Sequence, residues 1–105
     1  MSSILVVSGG AKGIGKGISE YFLKKDYKVA ILDIDSQAAN QCIQEWLKFG
    51  SNPDRFTFIE ADVSQEASVK DAVRNVLNKF GQIDVLVNNA GISDPYNKAL
   101  PNLSY

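Results

Sequence analysis

Three short stretches of this chain bring together residue types that can do chemistry. Ser8 to Gly15 read SGGAKGIG, Lys28 to Asp33 end on a carboxylate, and Asp62 and Val63 open the triplet DVS. The glycines Gly9, Gly13 and Gly15 follow an apolar run, Ile4, Leu5, Val6 and Val7. In that setting Gly9 can make a tight turn, Gly13 can let phosphates approach the backbone, and Gly15 can let a helix pack close. A helix starting there would offer N–H groups and a positive dipole end to an anion. The common G-x-G-x-x-G spacing is absent, so an ordinary strand-to-helix turn explains the same glycines. A mononucleotide loop is the other alternative, because Gly10, Gly15 and Lys16 fit G-x4-G-K. Gly17 then stands where a Ser or Thr hydroxyl must meet magnesium, and a P-loop-like NTPase is disfavoured on that departure. Asp33 turns the balance. It lies roughly twenty residues past the glycines, where a carboxylate can accept both hydroxyls of an adenine ribose. Capping of the turn that follows falls better to Asp35 or Ser36.

The elements that must position these residues are legible as alternating patterns. Ile4 to Val7 and Lys28 to Asp33 read as strands buried on both faces, Phe56 to Ala61 as a third strand, and Ile83 to Val87 as a fourth. Between them lie helical periods. The first carries Ile14, Gly17, Ile18, Tyr21 and Phe22, with Ser19 on the polar side. The second carries Ala39, Cys42, Ile43, Trp46 and Leu47, capped by Asp35 or Ser36 and ended by Gly50 and Pro53. The third, capped after DVS, carries Val69, Ala72, Val73, Val76, Leu77 and Phe80, with Gly81 as terminator. From Ile92 onward no period is sustained. A β-α-β-α-β-α-β order with short connections predicts an α/β, Rossmann-type doubly wound parallel sheet, stopping after about four strands in order 3-2-1-4.

Composition narrows the function classes. The 105 residues suit one small domain, and at 45% hydrophobic and 22% charged they read as globular. A net charge of −1 points to neither nucleic acid nor an anionic membrane as partner. The sequence has no histidine, which removes imidazole catalysis, and its single cysteine, Cys42, suits a reducing compartment. With no apolar run long enough for a signal core or a membrane span, a cytoplasmic protein is expected.

SGGAKGIG, LDID, ADVS and DVLVNNAG, in this order and spacing, resemble the N-terminal half of the short-chain dehydrogenase/reductase family. The likeness covers about residues 3 to 93, although SGG replaces the usual TGx at the loop entrance. Polyol, acetoin and ketoacyl reductases are the members it is most similar to. The resemblance implies a nicotinamide dinucleotide as cofactor and hydride transfer between an alcohol and a carbonyl. It implies that Gly9, Gly13, Ile14 and Gly15 hold the pyrophosphate and Asp33 the ribose. Asp62 and Val63 would hold the adenine, while Asn88, Asn89, Ala90 and Gly91 pass beside the nicotinamide ribose. Ser8, Lys12 and Ile34, which flank these motifs, complete the expected cofactor contacts.

In that family a Tyr-x3-Lys pair and an upstream serine handle the proton, and all lie beyond position 105 of a full-length member. Tyr21 and Lys25 have that spacing, but Tyr21 sits roughly 10 Å along its helix from the phosphate end and reads as part of the buried stripe. No catalytic residue is therefore assigned. The expectation is the dinucleotide-binding half of the domain, inactive alone, whose alcohol or ketone substrate belongs to a full-length form. A non-catalytic remnant or interaction module is the alternative. NAD is expected over NADP, because Asp33 is fixed at a strand end whereas Lys12, which could reach a 2′-phosphate, sits on a long solvated stem. The apolar fourth strand is expected to leave an unpaired edge open to self-association.

Overall fold

Aliphatic residues without polar alternation make a strand that must be covered on both sides, and β1 (Ile4–Ser8) is buried along its whole length. The computed structural model describes residues 3–88, in which β1 is followed by α1 (Gly13–Lys24), β2 (Lys28–Asp33) and α2 (Ser36–Lys48). A short 3-10 turn, Pro53–Arg55, then leads into β3 (Phe56–Glu60), α3 (Glu66–Phe80) and β4 (Val85–Asn88). All pairings are parallel and the strand order is β3-β2-β1-β4. Val7 stands opposite Ile31 of β2 and Val87 of β4, and Asp33 opposite Glu60.

Alternate residues of the central strands serve two cores. Leu5, Val7, Val29 and Ile31 face α1 and α2 and cluster with Cys42 and Trp46 of α2 and Phe56 of β3. Ile4, Val6, Ala30 and Leu32 face α3 through Ala72 and Val76. Helices on both faces of a parallel sheet are the doubly wound arrangement the alternation predicts. α3 stops where expected, with Gly81 at φ 84° and its N–H on the Leu77 carbonyl. On its far side β4 has no strand neighbour among the described residues.

Four local expectations are corrected. The buried face of α1 is turned relative to the predicted stripe, with Gly15 and Ser19 buried, Ile14 73% exposed and Tyr21 57% exposed. Small residues let the helix lie close, and the Ser19 hydroxyl donates to the Gly15 carbonyl at 2.9 Å, so its burial leaves no unmet polar group. Tyr21 instead carries the Lys25 ammonium over its ring, 5.4 Å from the centroid, on the open side. Leu47 and Leu77 lie at the margins of their stripes and remain exposed. The start of α3 has no side-chain cap at Gln65: Asp62 accepts from the Ser64 hydroxyl, and the Asp62 N–H donates to the Ser68 hydroxyl of α3. Finally, Pro53 does more than stop α2: it opens the 3-10 turn, with Asn52 accepting the Asp54 N–H at 2.9 Å. No described helix is long and apolar enough to cross a membrane.

Candidate dinucleotide-binding site

The turn after β1 is built by two adjacent glycines with different jobs. Gly9 adopts φ 66° and donates its N–H to the Leu32 carbonyl at 2.6 Å, tying the end of β1 to β2. At Gly10 an added Cβ would lie 2.5 Å from Ile31 Cγ2, so only glycine lets the loop rest on β2. The sequence drew Gly10 into the rival NTPase motif alone, yet it is the most tightly confined glycine of the loop. Ala11 follows, buried, with its N–H on Asp33 Oδ2 at 3.2 Å and its carbonyl accepting from Cys42 Sγ at 3.1 Å.

Beyond Ala11 the loop opens. Lys12 is extended and exposed, and Gly13 begins α1 at φ 53°, with nothing within 4 Å of where a Cβ would stand. That clearance allows an anion to come up to the backbone. α1 has no side-chain cap and no acid in its first turn, whereas α2 is capped by Asp35, which accepts the Ala38 N–H at 3.0 Å. Among the described residues, the first N–H groups of α1 therefore have no side-chain cap. Ile14 and Gly15 occupy that first turn, one exposed and one buried. Lys16 points to α2 instead, pairing with Glu45 at 2.6 Å, a hydrogen bond that raises its pKa above the usual lysine value.

Asp33 is only 8% exposed. Besides the bond from Ala11, its Oδ1 accepts the Asp35 N–H at 2.9 Å. The carboxylate thus joins the glycine loop to the β2–α2 turn, a structural duty the sequence had given to Asp35 or Ser36. Asp35 caps α2 as expected and also pairs with Lys12 Nζ at 3.1 Å. The Ala38 N–H first, and Lys12 second, hold the Asp35 carboxyl below its ordinary pKa. Across the site, Asp62 Oδ1 accepts from the Ser64 hydroxyl at 2.6 Å and from the Ser64 N–H at 3.0 Å, and these bonds lower its pKa.

Between these walls lies a cavity of about 90 Å³ lined by Gly9, Asp33, Ile34, Asp62 and Val63, together with Leu32 and Ala61. Five residues singled out in the sequence thus meet in one crevice at the carboxyl ends of β1, β2 and β3. Lys12, Gly13, Ile14 and Gly15 stand at the neighbouring helix start, outside that lining. Ser8 lies beside it, donating to Asn88 Oδ1 at 3.1 Å, while Asn88 Nδ2 is buried with no partner among the described residues. Asn89, Ala90 and Gly91 lie outside the described residues. A larger cleft of about 390 Å³ between α1 and α2, lined by Glu20, Leu23 and Trp46, contains none of the predicted site residues. The smaller crevice is the better candidate, since open α/β sheets bind ligands at the carboxyl ends of their strands.

Parallel order 3-2-1-4 with helices on both faces defines the class: the first half of a Rossmann-type α/β domain. The chain belongs to the short chain dehydrogenase family, whose sequence profile matches residues 3–103. Human 15-hydroxyprostaglandin dehydrogenase [NAD(+)] is 37% identical over 94 residues, covering 90% of this chain and 35% of that enzyme. The 3-ketoacyl-(acyl-carrier-protein) reductase from Brucella melitensis, solved with NADH, superposes with a TM-score of 0.70 at 33% identity, covering 80% of this chain and 32% of that one. The N-domain of a bacterial malonyl-CoA reductase, solved with NADP, superposes with a TM-score of 0.78 at 34% identity, covering 85% of this chain and 16% of that one. The chain spans about a third of the length of the curated relatives it matches.

Proposed function

We propose that this chain is the dinucleotide-binding portion of an oxidoreductase that interconverts an alcohol and a carbonyl, and that it prefers NAD(H). The observation that carries the reading is the shared crevice: Gly9, Asp33, Ile34, Asp62 and Val63 line one cavity beside an uncapped helix start. The group fits these residues. Gly13 clears space for a pyrophosphate, Asp33 keeps lone pairs for ribose hydroxyls, and Asp62 with the Val63 N–H faces the adenine position. Asn88, Asn89, Ala90 and Gly91 are proposed to flank the nicotinamide ribose, with Ser8 beneath them. When bound, the dinucleotide supplies or accepts the hydride. The chain's own part is to bind and orient it, and no tyrosine among the described residues lines the crevice to move a proton.

Preference for NAD(H) follows from how Asp33 is held. Two N–H bonds pin a buried carboxylate, so it cannot turn aside for a 2′-phosphate. Like-charge repulsion and lost hydroxyl bonds then disfavour NADP(H) by about tenfold or more.

Titration of the 105-residue polypeptide with NADH, followed by its fluorescence, tests the reading. We expect saturable binding that Asp33→Ala weakens, with NADPH weaker than NADH. No saturation at millimolar NADH would favour a non-catalytic interaction module instead. The same polypeptide is expected not to oxidise NADH steadily with diacetyl. Turnover abolished by Tyr21→Phe would overturn that expectation. A single buried thiol suits a reducing compartment such as the cytosol, and the outer edge of β4 is the proposed surface for self-association.

A further inference from the structure

Lys12 is the one lysine on the lip of the glycine loop, and its ammonium is already taken. It lies 3.1 Å from Asp35 Oδ2, across the gap between the β1–α1 loop and the β2–α2 turn. The two partners differ in freedom. Asp35 is anchored, because its other oxygen caps α2 through the Ala38 N–H and its own N–H is held by Asp33. Lys12 has a side chain that is 65% exposed and no second partner among the described contacts. The fixed carboxylate therefore decides where the ammonium rests.

That resting place matters because of what lies beside it. Ala11, next to Lys12 in the chain, donates to one oxygen of Asp33, and Asp35 donates to the other. The Lys12–Asp35 pair thus bridges the same two segments, glycine loop and β2–α2 turn, that hold the carboxylate proposed to meet the ribose. A 2′-phosphate entering there would face Asp33 and Asp35 as negative charges and find the nearest cation neutralised. We infer that Asp35 is a specificity-determining residue: by holding Lys12, it keeps that lysine from serving a 2′-phosphate. Asp33 repels the phosphate directly, and Asp35 withholds its natural partner. The inference rests on the cofactor reading proposed above, and deepens it.

The test is a double-mutant cycle on the ratio of Kd for NADPH to Kd for NADH, measured by fluorescence titration. Asp35→Asn removes the charge and retains an excellent helix cap, so α2 keeps its start. We expect this substitution to move the ratio toward NADPH by about fivefold, the scale of one exposed ion pair at low salt. Lys12→Met alone should move it by under about twofold, since the lysine is engaged in the wild type. In the Lys12→Met background most of the Asp35→Asn shift should vanish. An unchanged ratio in Asp35→Asn overturns the inference, as does a shift that persists in full without Lys12, which would make Asp35 a simple repelling charge. Wild-type protein that saturates with neither dinucleotide removes the cofactor reading and the inference together. Saturation with NADH and no cycle coupling removes the inference alone.

Discussion

Asp33 and Asp62 both stand just at the carboxyl ends of strands, both face one crevice, and they are held in opposite ways. The bonds of Asp33 run between elements, from the glycine loop on one side and the β2–α2 turn on the other. The carboxylate of Asp62 accepts only within its own turn, from the Ser64 hydroxyl and N–H, while its backbone N–H donates to Ser68 of α3. The first carboxylate is buried and the second is half-exposed. Where the loop bonds cross elements, the groups that line the proposed ligand site also hold the fold together. Where the bonds are local, binding and stability can be separated. The two ends of the crevice should therefore respond differently to the same kind of substitution.

The largest effect is expected in the glycine loop that Asp33 anchors. Gly10→Val would drive a branched side chain into Ile31, since even a Cβ meets it at 2.5 Å. Overpacking against a fully buried strand should cost about 3 kcal/mol. Gly13→Ala meets open space and only the strain of a positive φ, so about 1 kcal/mol is expected. Urea unfolding followed by circular dichroism ranks the two. A Gly10→Val protein as stable as the parent would mean that the loop does not rest on β2, and the contrast with the Asp62 turn would lose its basis.

Asp33→Ala comes next and should show two losses at once. It leaves the buried Ala11 N–H without its acceptor, a cost of about 1–3 kcal/mol. It also removes the proposed ribose contact and should weaken NADH by about tenfold. Asp33→Asn keeps one acceptor oxygen and should recover part of the stability and little of the affinity. If Asp33→Ala lowered affinity and left the unfolding midpoint in place, the two roles would be separable after all.

How far this comparison was legible from sequence follows the same division between local and tertiary bonds. Strand identity, order and the α3 terminator were readable because continuous apolar runs and Gly81 report burial and backbone geometry locally. The inward face of α2 follows from one stripe, with Ala39, Cys42 and Trp46 buried as their spacing implies. The face of α1 was misread because a buried serine looks polar until its hydroxyl is seen on the Gly15 carbonyl. Gly10 was missed as a contact residue because its constraint comes from Ile31, twenty-one positions away in chain and adjacent only in the sheet. The Lys12–Asp35 pair and the double duty of Asp33 are invisible for the same reason. Their partners are set by the crossover between β1 and β2, not by any local pattern.

The smallest effect on stability should come from Asp62, and pH makes it measurable. Bonds from the Ser64 hydroxyl and N–H hold its carboxyl below the ordinary value, so the folded form binds that proton less readily than the unfolded chain. Such a group contributes its full stability above the unfolded pKa of about 3.9 and loses it as pH falls through the lower folded value. Between pH 7 and pH 5, about one unit above that range, Asp62→Ala and the parent should therefore keep a constant difference in melting temperature. Below about pH 4 the two curves should converge, because the parent is losing a contribution the variant never had. Any change in NADH affinity on Asp62→Ala should appear at pH 7 with little change in melting temperature, the reverse of the coupled losses at Asp33. A variant that melts far below the parent at neutral pH would show that the Asp62 side chain braces more than its own turn, and that the two carboxylates are held alike.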